Sequence, residues 1–285
     1  MQKNTKSKNI YAVVVTYNPE KSLLEQQYES LLPQVSRIIY VDNGSAKVYS
    51  EKFAQSYTIR NTENYGLGKA QNQGIEFARK KDADYILLLD QDSVLEKGMV
   101  SVLLTEYNEY SKKMKIAAIG PAFKSGFDES VQDVGILSVG FRMKKTKIVN
   151  TSLVSYIIAS GSLIPVSVFD EVGVIDERLF IDGLDMEWCL RACSKGFKII
   201  QTSKTHLIHK LGNGNKDLVL SHSPLREYYI IRNSFLFLRF PHVPLSYKGR
   251  KIVFTFGRTL YSLFHGYFDY FKMSLKAIRD SVFWR

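Results

Sequence analysis

Three short runs in the first ninety residues are apolar almost without interruption: IYAVVV (10–15), RIIYV (37–41) and DYILLL (84–89). Each ends abruptly in a polar cluster, respectively Thr16-Tyr17-Asn18-Pro19, Asp42-Asn43-Gly44-Ser45 and Asp90-Gln91-Asp92-Ser93. A strand with one solvated face alternates apolar and polar residues; these do not, so they read as strands covered on both faces. Helical patterns separate them. Leu23, Leu24, Tyr28, Leu31 and Leu32 share one face of a helix over 22–32 that Pro33 ends, and Asn64-Tyr65-Gly66-Leu67-Gly68 opens a helix running to about 81. With a third strand at 56–60, the alternation predicts an α/β fold with a mostly parallel sheet flanked by helices. Ligands of such sheets sit beyond the carboxyl ends of the strands, so the three polar clusters are expected to converge on one cleft.

Further along, the pattern predicts a helix over 97–112, a strand at 115–120 and a Gly- and Ser-rich stretch to about 140. An apolar segment, 154–165, is broken at Gly161-Ser162. A helix over 166–172, a helix over 185–196 with Trp188 and Leu190 inward, and a strand at 197–202 follow. No internal repeat is present. The expected organisation is a polar tail (1–9), a catalytic-type domain (10–224) and a helical extension (225–285). Two cysteines four apart in one helix, Cys189 and Cys193, read as buried free thiols.

The chain has 285 residues, 45% hydrophobic and 24% charged, which excludes a disordered protein. Its net charge of +11 sits mostly at the C-terminal end: from Leu225 onward eleven Lys/Arg face three acids, a net +8, interleaved with sixteen aromatics. Helices near 226–239, 246–264 and 266–283 are expected there. They form either a helical cap with solvated cations or an amphipathic surface for an anionic membrane, the latter favoured by the interleaving. No nucleic-acid-binding motif accompanies the charge. No signal-like or membrane-spanning apolar run appears, so the expected address is cytoplasmic, peripheral on the inner face of the cell membrane.

Asp90 and Asp92, two apart at a strand end, offer hard oxygen ligands for Mg²⁺ or Mn²⁺, which would bridge to phosphate oxygens. Asp42 can accept hydrogen bonds from a base or ribose, or simply make an Asx-turn. The segment Asn64–Gly68 places glycine-rich backbone near a helix start but is not a Walker motif. Asp182, Asp185 and Glu187 crowd a helix start, as ordinary capping or with one of them as general base on an acceptor hydroxyl. His206 and His209 follow a strand, and His209, in loop-like surroundings, is a candidate metal ligand.

Taken in order, VVVTYN, VDNGS, NYGLGKAQNQGI, LLLDQDS and GVIDERLFIDGLDMEWCLRACSKGFKI resemble glycosyltransferase family 2, more narrowly its bacterial rhamnosyltransferase-like members. The resemblance spans about 10–212. It implies a GT-A fold, a nucleotide-sugar donor, a divalent metal and an inverting mechanism in surface polysaccharide synthesis such as that of O-antigen. Carried over residue by residue, it implies that Thr16, Tyr17, Asn18, Asp42, Asn43, Asn64, Gly66, Asp90 and Gln91 bind the donor. Asp92 and His209 would hold the metal, Gly161, Ser162 and Trp188 would lie by the acceptor and sugar, and Asp185 would be the base. The usual Glu-Asp pair reads Leu184-Asp185 here, leaving Asp182 as competitor. The implied partners are dTDP-rhamnose, a polyprenyl-diphosphate-linked saccharide acceptor and an anionic membrane, with a homo-oligomer possible. Alternatives are a UDP-sugar donor (glucosyl, galactosyl or N-acetylglucosaminyl transfer) or a non-enzymatic basic membrane-binding module. A nucleotidyltransferase is disfavoured because VVVTYNPE lacks a glycine-rich basic phosphate loop.

Overall fold

The computed structural model describes residues 8–125, 131–132, 134–139, 142–209 and 222–283. The strands are β1 (Ile10–Thr16), β2 (Arg37–Asp42), β3 (Ser56–Arg60), β4 (Tyr85–Asp90), β5 (Ser93–Leu95), β6 (Ile116–Ser125), β7 (Val131–Gln132), β8 (Val134–Val139), β9 (Arg142–Lys147), β10 (Thr151–Val154), β11 (Ser162–Pro165) and β12 (Lys198–His209). The helices are α1 (Lys21–Leu31), α2 (Leu67–Arg79), α3 (Met99–Ser111), α4 (Val166–Val172), α5 (Leu184–Ser194), α6 (Pro224–Arg239), α7 (Leu245–Phe264) and α8 (Phe268–Phe283).

The main sheet runs β10-β12-β6-β11-β4-β1-β2-β3. Strands β4, β1, β2 and β3 are mutually parallel, as are β6 and β12; β11 lies antiparallel between the two sets. The apolar strands are covered on both faces, as their composition requires. Val13, Val15, Ile39, Val41, Ile86 and Leu88 point into one buried cluster with residues of α2, α4, α5 and α6. Their neighbours Ala12, Val14, Ile38, Tyr40, Leu87 and Leu89 point into the other, with residues of α1 and α3. Each large aliphatic side chain so buried contributes roughly 1.5–3 kcal/mol, which fixes the register of these strands against slippage.

One expectation changes. The strand expected at 197–202 continues to His209, because its last residues are paired on both edges, with β6 and with β5. His206 and the backbone of His209 therefore stand in a strand, not in a loop. The apolar segment 154–165 is broken where expected: it runs from the last residue of β10 to the end of β11, with the Gly161 turn (φ +84°) immediately before β11. Cys189 and Cys193 are free thiols on α5, and burial raises the pKa of both.

The three expected C-terminal helices form. Ser223 caps α6, its hydroxyl accepting from the Arg226 N–H at 3.3 Å, and Pro224 occupies the first turn, where no N–H is needed. α6 buries Ile231, Asn233, Leu236 and Phe237. Glu227, fully buried, pairs with Arg258 of α7 at 2.5 Å. By contrast α7 and α8 leave Val253, Phe256, Leu260, Phe264, Phe268 and Leu275 exposed. Among the described residues no helix is long and apolar enough to cross a membrane.

Candidate active site

The parallel register sets Thr16 beside Asp42 and Val15 beside Asp90, so the polar clusters after β1, β2 and β4 meet at one sheet edge. Backbone and side chains lock them together. The Tyr17 N–H donates to Gln91 Oε1 at 2.8 Å, and the Asn18 N–H donates to the Ser45 hydroxyl at 2.8 Å. Asn18 adopts φ +47°, a left-handed turn that asparagine tolerates, and its side-chain Oδ1 accepts from the Ala46 N–H. Tyr17 is half exposed at the cleft.

Asp42 is buried. One oxygen accepts from the Thr16 hydroxyl at 3.2 Å and the other from the Ser45 N–H, three residues on, at 2.9 Å, so the side chain closes its own turn. Asn43 is the hub beside it. Its amide donates to Asn64 Oδ1 and to the Gly66 carbonyl, while its oxygen accepts from Asn61 and from the Tyr65 N–H. Gly66 has φ +91°, and a Cβ there would sit 2.6 Å from the Phe180 ring, so both backbone and space demand glycine.

Asp90 ends β4. Its N–H donates to the Ser160 hydroxyl at 3.1 Å, and its carbonyl accepts from Gln27, which is fully buried on α1. Gly161 follows Ser160, bonded through its N–H to the Leu88 carbonyl at 2.8 Å, and Ser162 donates to the Ala159 carbonyl. Asp92 lies in the same turn. His209 pairs through its backbone with Ser93, which brings it next to Asp92 in register; its side chain lies outside the described residues. Among the described residues no cluster of three or more His, Cys, Asp or Glu side chains could hold a metal alone. Two strand-end carboxylates, with the remaining positions left to phosphate oxygens, nevertheless suit Mg²⁺ or Mn²⁺, which take one or two carboxylates plus substrate phosphates.

Asp185 opens α5 and is half-buried, accepting from the Met186 N–H at 2.8 Å. Burial pushes its carboxyl up to about 6; the Met186 N–H opposes this, while the negative charges of Asp90 and Asp182 add to it. Tyr156, Tyr247 and Lys251 also lie within its electrostatic reach. The competitor Asp182 is held differently: Arg226 grips both of its oxygens, the shortest contact being 2.8 Å. Trp188 lies one turn further on in the core, donating to the Gly173 carbonyl at 2.8 Å and tilted against Phe169; it helps line a small apolar cavity beneath Asp185.

Sequence reasoning missed the contribution of the extension. Arg226 and Asn233 from α6 reach the loop ahead of Asp185, and Lys251 of α7 feels the charges of Asp182 and Asp185 while burial pulls its own pKa down to about 8. Tyr247 touches the Met186 sulfur. The available signal was the cluster of cations after Leu225, which composition left between a helical cap and a membrane surface.

Residues 11–173 match the family model described as glycosyl transferase family 2. The chain is 33% identical, across 96% of its length and 95% of the relative's, to a protein of Shigella flexneri named dTDP-rhamnosyl transferase RfbF. Among solved structures it is similar to GalNAc-T7 bound to UDP, GalNAc and Mn²⁺ (TM-score 0.60, 15% identity, 87% of this chain and 54% of that one). It is also similar to the mannosyltransferase PcManGT of Pyrobaculum calidifontis bound to GDP-Man and Mn²⁺ (TM-score 0.59, 11% identity, 98% and 76%). The family match, the near full-length relative and the GT-A architecture agree with the strand-end carboxylates, and the chain belongs to glycosyl transferase family 2.

Proposed function

We propose that this glycosyltransferase is an inverting, metal-dependent rhamnosyltransferase that moves L-rhamnose from dTDP-rhamnose to a saccharide acceptor carried on a polyprenyl diphosphate. The observation that carries the sugar assignment is the 33% identity, held over nearly both full lengths, to the dTDP-rhamnosyl transferase of Shigella flexneri. The carboxylates at the cleft support the chemistry.

In this reading the polar turns after β1 and β2 hold the nucleoside and the Asn64–Gly68 segment lines the donor. Asp90 and Asp92, with His209 adjacent in register, would hold Mg²⁺ or Mn²⁺. When bound, such an ion neutralises charge that develops on a diphosphate leaving group. Asp185 takes the proton of the acceptor hydroxyl while that oxygen forms its bond to the anomeric carbon; the bond from that carbon to the phosphate oxygen breaks, and the leaving diphosphate keeps the electron pair. A single displacement inverts the configuration. A carboxylate held near 6 suits this work, being ionised at neutral pH yet more basic than an ordinary aspartate. Asp182 is less suited, because its oxygens are occupied by Arg226.

The exposed apolar stripe on α7, Val253, Phe256, Leu260 and Phe264, repeats at helical spacing. Lys272, Lys276 and Arg279 are exposed on α8. Apolar and cationic groups together fit the surface of an anionic bilayer, where a lipid-linked acceptor is held.

The test is calorimetric binding of dTDP and UDP, each with Mg²⁺ or Mn²⁺ and again with EDTA. Tighter, metal-dependent binding of dTDP is expected. A preference for UDP would transfer the assignment to UDP-sugar donors, and binding of neither would overturn the dTDP-rhamnose and UDP-sugar assignments alike.

A further inference from the structure

The loop 176–184 carries Asp185 on its far end and is held in an unfavourable conformation. Phe180 and Asp182, neither of them glycine, adopt φ of +61° and +66°. Such residues cost on the order of 1–3 kcal/mol each and persist only where their surroundings over-determine them. Here α6 supplies the surroundings. Asn233, 2% exposed, directs its amide nitrogen at three carbonyls of the loop, Leu179 (2.8 Å), Ile181 (2.6 Å) and Asp182 (2.8 Å). Arg232 donates to the carbonyls of Arg178 (2.7 Å) and Leu179 (2.9 Å) and fixes the Asn233 amide by donating to its oxygen at 2.8 Å. Tyr229 stacks on Phe180 with ring centroids 4.6 Å apart.

The loop's other side meets the segment read as lining the donor. The Phe180 carbonyl accepts from the Leu67 N–H at 2.6 Å, and its ring occupies the space that a side chain at position 66 would need. One strained loop therefore spans from that segment to Asp185, and α6 sets its shape.

We propose that Asn233, oriented by Arg232, is a positioning residue for glycosyl transfer, pinning the strained loop so that Asp185 meets the acceptor oxygen. This rests on the reading of Asp185 as the base. Asparagine is suited to the task because its neutral amide donates to carbonyls with no charge added beside the carboxylates. Aspartate, of equal size, has no donor for them when ionised.

The experiment follows dTDP released from dTDP-rhamnose with water as acceptor, alongside calorimetric dTDP binding and thermal unfolding, for Asn233→Ala, Asn233→Asp, Asp185→Asn and the Asn233→Ala/Asp185→Asn double variant. A displacement of about 1 Å at a reacting group costs on the order of 10²-fold. The expected result is a fall in kcat of roughly 10- to 100-fold for both Asn233 variants, with the donor KM and dTDP affinity within about threefold of wild type. For Asn233→Ala the acid limb of the pH–rate profile should move to lower pH as the loosened loop admits water to Asp185. In the Asp185→Asn background Asn233→Ala should cost nothing further. Unchanged kcat, a loss that appears in KM instead, or a full multiplicative loss in the double variant would overturn the proposal. So would failure of both Asn233 variants to fold, which would make the amide a stability element. Wild-type turnover by Asp185→Asn alone would instead remove the base assignment itself.

Discussion

Arg226 holds Asp182 side-on, its Nη2 2.8 Å from one carboxylate oxygen and its Nε 3.0 Å from the other, and so ties the first turn of α6 to a residue three places ahead of Asp185. A bidentate pair of this kind fixes direction as well as distance. It leaves Asp182 occupied, and Glu187 is buried against Arg191, so of the three acids around the start of α5 Asp185 is the one proposed to take a proton. The two acids that sequence alone could not separate are thus distinguished by a guanidinium more than forty positions away.

Asp185→Asn keeps the shape of the site and removes the proposed proton acceptor. Turnover is expected to fall by about 10²-fold or more, the range general-base catalysis supplies, while dTDP binding measured by calorimetry stays near wild type. Turnover within a fewfold of wild type would refute the assignment.

In metal-free protein Asp185 should titrate near pH 6, as burial and the charges of Asp90 and Asp182 favour its protonated form. A divalent cation at Asp90 and Asp92 offsets part of that negative field, so the midpoint should fall when Mg²⁺ or Mn²⁺ is added. The sign for stability follows. A carboxyl raised in the folded state gives up stability as pH rises from about 4 through about 6. Carboxyl-carbon NMR across this range checks both; a midpoint at the ordinary aspartate value without metal would contradict the coupling.

Asp90→Asn and Asp92→Asn each remove one hard ligand from the strand end. Both variants should bind dTDP with and without EDTA at the same, weakened affinity, whereas the wild type loses affinity only when the metal is withdrawn. Retention of the full metal-dependent increment by both variants would show that the ion sits elsewhere.

Arg258→Met tests how the extension is built. Glu227 is fully buried and Arg258 nearly so, and removing one partner of such a pair strands the other charge in a site without water. The expected loss is about 3–5 kcal/mol in urea unfolding. Arg258→Met together with Glu227→Leu should recover much of it, because the stranded carboxylate is gone.

Val253→Glu combined with Phe264→Glu places charge on two of the most exposed apolar side chains of α7, at 73% and 77% exposure. Neither supports the core, so folding should be unaffected. Flotation with anionic liposomes should be abolished, and unchanged flotation would remove this face from the membrane reading.

The sheet was legible because its information is local. The runs 10–15, 37–41 and 84–89 carry no charged residue past the first position, so they read as strands buried on both sides of a parallel sheet. Aligned ends put Thr16, Asp42 and Asp90 together whatever the rest of the chain does, and the register confirms it. The three helices of the extension, expected near 226–239, 246–264 and 266–283, form within about two residues of those bounds. The full length of β12 was not legible, since the polar TSKTH carries no strand pattern and only the pairing of His206–His209 with β6, and of Leu207–His209 with β5, extends the strand beyond it.

The sequence by itself determined the fold class, the strand-end carboxylates and the identity of Asp185 as a candidate, because each depends on residue type within a few positions. Only the tertiary structure decided how the extension is used. Composition gives Arg226, Arg232, Asn233 and Lys251 the same standing as any exposed cation or amide of a +8 segment. Folding turns one face of α6 into the core, and there Arg232 and Asn233 find carbonyls and Arg226 finds Asp182, while α7 keeps its apolar stripe outside. Which partner a long polar side chain meets is set by how distant elements pack, and that is not written in any short stretch of the chain.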